Sequence, residues 1–113
     1  MHEQSIVESL LELALENAVK ANAARITKIN VVVGELSGIV EESADFYFNF
    51  LRKGTLAEGA SLSFTRAPAR LHCRSCDTTY SPEKLDFLCP ACQEPQVEIV
   101  GGRELYLESI EVV

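Results

Sequence analysis

Apolar side chains at Ile6, Val7, Leu10, Leu11, Ala14, Leu15, Ala18 and Val19 recur at the i, i+3, i+4 interval. They predict an amphipathic helix over residues 3–21 with one broad buried stripe. Ser5 followed by Glu8 has the form of a capping box, which sets the helix start near Ser5; a start two residues earlier fits the pattern equally well. Between Ile26 and Leu36 the β-branched run Val31, Val32, Val33 ends at Gly34, and Ile29, Val31 and Val33 share one face at period two, which predicts a central strand. Glu41 to Arg52 admits two readings. Phe46, Phe48 and Phe50 alternate as in a strand, while Ala44, Tyr47, Phe48 and Leu51 fit a helix closed by Gly54. Acidic residues Glu41, Glu42 and Asp45 at the start favour the helix. Ser61–Arg66 alternates Leu62 and Phe64 with small polar residues, and Leu105–Val113 reads similarly, so both are expected to join the first strand in one sheet.

Between these last two strands the chain changes character. Prolines and all four cysteines concentrate in residues 67–102, bracketed by Pro68 and by Gly101-Gly102. The fold class expected is α+β, with two helices on a small three-stranded sheet and an inserted four-cysteine zinc-knuckle module. Residues 1–66 plus 103–113 form the main domain in this reading, and residues 67–102 the inserted module. A chain of 113 residues has room for one core and one such satellite.

Charge narrows the set of partners. Seventeen Asp and Glu against ten Lys and Arg give a formal net charge of −7, which repels a phosphate backbone and makes nucleic acid an unexpected partner. No apolar run approaches the roughly 20 residues of a membrane span, and Met1-His2-Glu3 opens without the basic and apolar regions of a signal peptide. The expected location is cytoplasmic. Glu8, Glu12 and Glu16 form an i, i+4 acidic row that reads as a solvated helix face or as a contact for a basic partner.

Cys73-x-x-Cys76 and Cys89-x-x-Cys92 are two copies of one knuckle separated by twelve residues. Each tight turn aims two thiolates at a common point, and four sulfurs complete a closed tetrahedral zinc site. The short connection calls for a compact hairpin around Pro82. A module this small lacks the core to fold unaided, so metal would supply much of its folding free energy. The same thiols could instead form a redox switch. A nucleic-acid-gripping ribbon would need a basic surface, and four thiolates around one divalent ion would make the chain more acidic still. His72 adjoins the first knuckle, but four sulfurs already satisfy zinc, which leaves it a solvated or outer-shell histidine.

At the N-terminus a free α-amine on Met1, the intervening peptide nitrogen and the His2 imidazole can close consecutive chelate rings around one ion. Such nitrogen-rich sites suit Ni(II) or Cu(II) better than zinc. Retention of Met1 is expected because histidine is too bulky for the usual removal of the initiator. Glu3 adds a carboxylate that offsets the repulsion between a cation and the positive end of the helix dipole. Taken alone, a histidine near a terminus also reads as a solvated residue.

Met1-His2-Glu3-x-Ser5-Ile6, Val33-Gly34-Glu35-Leu36-Ser37-Gly38 and the two Cys-x-x-Cys pairs together resemble the HypA/HybF family of hydrogenase nickel-incorporation proteins. The resemblance covers nearly the whole chain. It implies a nickel metallochaperone that delivers Ni(II) as cargo to the large subunit of [NiFe]-hydrogenase, working with a GTPase and in some organisms serving urease maturation. It further implies nickel ligation by His2 with the Met1 amine and nearby backbone nitrogens, assistance from Glu3, and structural zinc on Cys73, Cys76, Cys89 and Cys92. Some members carry histidines beside both knuckles, whereas here only His72 is present. The competing reading is a zinc-stabilised adaptor or thiol redox sensor with no nickel role. Enzymatic activity is not expected, because no nucleophile triad, paired catalytic carboxylates, phosphate-binding glycine loop or open zinc site can be assembled from the sequence.

Overall fold

In the computed structural model, which describes residues 3–82 and 88–113, the element order is α1 (Glu3–Lys20), β1 (Ile26–Gly34), α2 (Glu41–Leu51), β2 (Ser61–Ala67), β3 (Arg70–Cys73), β4 (Thr79–Tyr80), β5 (Val97–Gly101) and β6 (Leu105–Val112). One three-stranded sheet has the order β2-β1-β6 and a second has the order β4-β3-β5. The chain divides into two compact units. The first comprises Met1–Val32, Gly38–Thr65 and Leu105–Val113, and the second Val33–Ser37 and Arg66–Glu104.

In the first unit α1 buries Val7, Leu11, Ala14 and Ala18, a stripe that packs on α2 and β6. Of the two starts compatible with the sequence, α1 takes the earlier. Ser5 lies inside the helix, Glu8 accepts a hydrogen bond from Gln4 Nε2 at 3.3 Å, and the Ser9 hydroxyl donates to the Ser5 carbonyl at 3.0 Å, so Ser5 and Glu8 do not form a capping box. The C-terminus closes in a Schellman motif: Asn22 has φ 54°, its N–H donates to Val19 O at 3.0 Å, and the Ala23 N–H reaches back to Ala18 O at 3.0 Å. Strand β1 is central, with Ile26, Ile29, Val31, Val32 and Val33 all buried.

The ambiguous phenylalanine segment is helical. On α2 the period-two alternation leaves only Phe48 and Ala44 buried. Among the described residues no helix is long and apolar enough to cross a membrane.

The second unit has a sheet of its own, which the sequence pattern did not reveal. Strand β3 pairs antiparallel with β4 (Leu71↔Tyr80, His72↔Thr79) and with β5 (Leu71↔Ile99, Cys73↔Val97). Leu71, Ala69, Cys73 and Cys89 form its buried centre. The segment Val33–Ser37, read from sequence as part of the main domain, clusters here. Gly34 explains why: a Cβ there would lie 2.1 Å from the carbonyl oxygen of Gly102, which itself has φ 108°. That close approach lets Gly34 N–H donate to Glu104 O and Leu36 N–H to Gly102 O, both at 2.6 Å. Glu35 adds a side-chain link, its Oε2 accepting from the Ala69 N–H at 3.2 Å.

Candidate metal centre

The two knuckles repeat one backbone conformation. In the first, the Cys73 N–H donates to Thr78 O at 2.9 Å and the Asp77 N–H to Cys73 O at 2.9 Å, with Asp77 at φ 59°. In the second, the Cys89 N–H donates to Glu94 O at 3.1 Å and the Gln93 N–H to Cys89 O at 2.7 Å, with Gln93 at φ 60°. Each turn thus closes on a residue in the left-handed region one place after its second cysteine.

This repetition makes the sulfurs converge. All four Sγ atoms lie within 4.8 Å of one another, with Cys73 and Cys92 at 3.5 Å and Cys76 and Cys89 at 3.6 Å. A tetrahedral ion with zinc–sulfur bonds of about 2.3 Å requires sulfur–sulfur edges of about 3.8 Å. The set fits zinc in number, chemistry and spacing. All four thiols are free, since a disulfide needs sulfurs roughly 2 Å apart. The first cysteine of each knuckle is buried, Cys92 is half-buried and Cys76 is exposed.

Proton affinity within the cluster is uneven. The Thr78 hydroxyl, 3.2 Å from Cys76 Sγ, together with the Thr78 backbone N–H holds the Cys76 thiol down at about 6. At Cys92 the Glu94 N–H acts in the same direction, but desolvation and the three neighbouring sulfurs outweigh it and push the thiol up to about 12. Four sulfurs this close do not all ionise without a cation among them. A divalent ion removes that conflict.

His72 lies on β3, next to Cys73. Its Nδ1 lies 3.1 Å from Glu98 Oε1 and its Nε2 3.2 Å from Asp77 Oδ1, so both ring nitrogens meet carboxylates. Arg74 Nε approaches the other Glu98 oxygen at 3.6 Å. Thr78, Asp77, Gln93 and Glu98 were not singled out from the sequence. The signal for two of them was present, because Asp77 and Gln93 hold equivalent places after the two Cys-x-x-Cys pairs.

At the other candidate site, Glu3 opens α1 and its Oε1 accepts from the Val40 N–H at 3.5 Å. Met1 and His2 lie outside the described residues, as does part of the hairpin expected around Pro82. Among the described residues the four cysteines are the one group of three or more His, Cys, Asp or Glu side chains able to share an ion.

A family model described as hydrogenase/urease nickel incorporation, metallochaperone, HypA matches residues 1–112. The chain belongs to the HypA family. It is 43% identical over 112 residues to a hydrogenase maturation factor HypA of Dehalococcoides mccartyi, covering 99% of this chain and 94% of that one. It is 42% identical over 113 residues to a HypA of Caldanaerobacter subterraneus, covering 99% of each. Among solved structures it resembles the solution structure of the Ni metallochaperone HypA from Helicobacter pylori, with a TM-score of 0.71, 32% identity and coverage of 100% and 98%. A second solution structure of a HypA protein matches with a TM-score of 0.77 and 31% identity, covering 100% of this chain and 97% of the other. This is a family of nickel metallochaperones and hydrogenase maturation factors.

Proposed function

We propose that this chain carries Ni(II) as cargo, binds it at its N-terminus and hands it to the large subunit of [NiFe]-hydrogenase. The observation that carries this reading is the match of residues 1–112 to a nickel-incorporation family, which takes in the N-terminal Met1-His2-Glu3. The Met1 amine, the deprotonated amide nitrogen of His2 and the His2 imidazole supply a nitrogen-rich set suited to Ni(II), and the amide proton passes to solvent as the ion binds. Glu3, in the first turn of α1, adds negative charge where the helix dipole is positive. Cargo has to be released, so exposed, exchangeable ligands serve the task better than a closed cage.

Zinc belongs to the other end of the division of labour. Cys73, Cys76, Cys89 and Cys92 would hold it in a closed site that stabilises the knuckles, with no ligand position open for chemistry. In this reading residues 1–66 plus 103–113 are the nickel domain, apart from the Val33–Ser37 segment that clusters with the second unit, and 67–102 the zinc module. The chain works in the cytoplasm beside a GTPase, which performs any nucleotide hydrolysis, and urease maturation proteins are further candidate recipients. It is not itself an enzyme. Replacing His2 by Ala in the producing cell should lower nickel incorporation into hydrogenase while the purified variant keeps its zinc; undiminished incorporation would refute the reading.

A further inference from the structure

Helix α2 turns two aromatic rings toward solvent, and neither metal accounts for them. Phe48 is 1% exposed, but Phe46 and Phe50 are 61% and 67% exposed, one helical turn apart with ring centroids 6.2 Å from each other. Tyr47 meets the Phe46 ring edge-on at 5.6 Å. The rest of this solvent stripe is polar: Glu42, Asp45, Asn49 and Lys53. Phenylalanine is a middling helix former, so helix propensity does not call for the pair, and the core does not use it.

Two observations indicate what the pair takes. Lys53 Nζ already sits 5.2 Å from the Phe50 ring centroid, so this platform accepts a cation over a ring face. Glu42 and Asp45 border Phe46, both are exposed, and neither has an ion-pair partner among the described residues. Aromatic rings rimmed by exposed carboxylates complement a basic surface with an apolar anchor.

We propose that the Phe46–Phe50 face of α2 docks a segment of a partner protein that presents arginine or lysine beside an apolar side chain. The cation stacks on the exposed rings and pairs with Glu42 or Asp45, and the apolar side chain fills the space between Phe46 and Phe50. A second copy of this chain fits poorly, because it would bring two acidic rims together on a protein of net charge −7. The exposed ring area, on the order of 250 Å² from two partly exposed phenylalanines, is the size of a hot spot and far below the roughly 800 Å² per partner of a stable dimer. The inference is independent of the nickel reading.

The test uses the full-length, zinc-loaded, ¹⁵N-labelled protein and three probes: an amphipathic helical peptide of Leu and Arg, the same peptide with Glu for Arg, and phosphatidylcholine vesicles. The Leu/Arg peptide should shift amide resonances of residues 42–53, and Phe46→Ala or Phe50→Ala should weaken it about tenfold, the scale of an aromatic hot spot. Charge reversal with Glu42→Lys and Asp45→Lys should transfer the preference to the Glu peptide, with zinc content unchanged and the protein still folded at the assay temperature, the melting temperature falling only by the few degrees that lysines at the start of α2 cost. Absence of binding by the Leu/Arg peptide, shifts mapping elsewhere or equal affinity for both peptides would overturn the proposal. So would binding to the vesicles, or a dimer in sedimentation that Phe46→Ala dissociates.

Discussion

Asp77 and Gln93 are counterparts: each follows the second cysteine of its knuckle, each has φ near +60°, and each donates its N–H to the carbonyl of the first cysteine. Neither is glycine, so each turn holds a side chain in a region that costs roughly 1–2 kcal/mol for an L-residue. Gln93→Gly should therefore be neutral or stabilising in the zinc-loaded protein, whereas Gln93→Val should destabilise it by about 1–3 kcal/mol. Denaturant unfolding with zinc present measures both. Equal stability of the two variants would show that the left-handed turn is not maintained.

Gly34→Ala is expected to be far more damaging than its size suggests. The new Cβ would meet the Gly102 carbonyl at 2.1 Å and the Glu104 backbone nitrogen at 2.7 Å, and both are backbone atoms that cannot rotate aside. A loss of about 3 kcal/mol or more is expected, at the upper end of single substitutions. Gly59→Ala, where a Cβ meets nothing within 4 Å, is the control and should melt within a few degrees of wild type.

Zinc affinity should fall as the solution is acidified. In the metal-free protein Cys92 keeps its proton through neutrality, its thiol lying at about 12, so zinc must expel that proton on binding. Cys76, at about 6, is already ionised at pH 7 and adds a second competing proton only below that value. Affinity should change by at least about tenfold per pH unit near neutrality and more steeply below pH 6. Competition against a chromophoric chelator at several pH values reads the slope. Thr78→Val, which removes the hydroxyl beside Cys76 Sγ, should move the steep region to higher pH.

The phenylalanines of α2 separate core from surface on one helix. Phe48→Ala should cost about 3–5 kcal/mol, as expected for a fully buried ring. Phe46→Ala should stay within about 1 kcal/mol, since its ring is mostly in water. Thermal melts of the two variants make the comparison. A similar loss at both positions would mean that the helix buries both faces.

These same residues mark how far the sequence could be read. Helix α1 and strand β1 were legible because long, regular hydrophobic periods report which face is buried, and the sulfur cluster because two equal Cys-x-x-Cys spacings force convergence. The α2 segment was ambiguous because Phe46, Phe48 and Phe50 satisfy a strand period while only Phe48 is buried; two exposed aromatics masked the helical signal. The second sheet was not legible, since β3, β4 and β5 run only four, two and five residues, too short to establish a period. The Gly34–Gly102 approach also escaped, being a tertiary contact between residues far apart in sequence.

Nickel binding at the amino terminus, as proposed, is best checked by a calorimetric nickel titration of tag-free, zinc-loaded protein. Wild type should show one saturable site. His2→Ala, and a variant whose N-terminal extension removes the free amine of Met1, should lose that site while retaining zinc and the folded state. Equal nickel binding by all three proteins, or binding by none, would rule out an N-terminal nickel site.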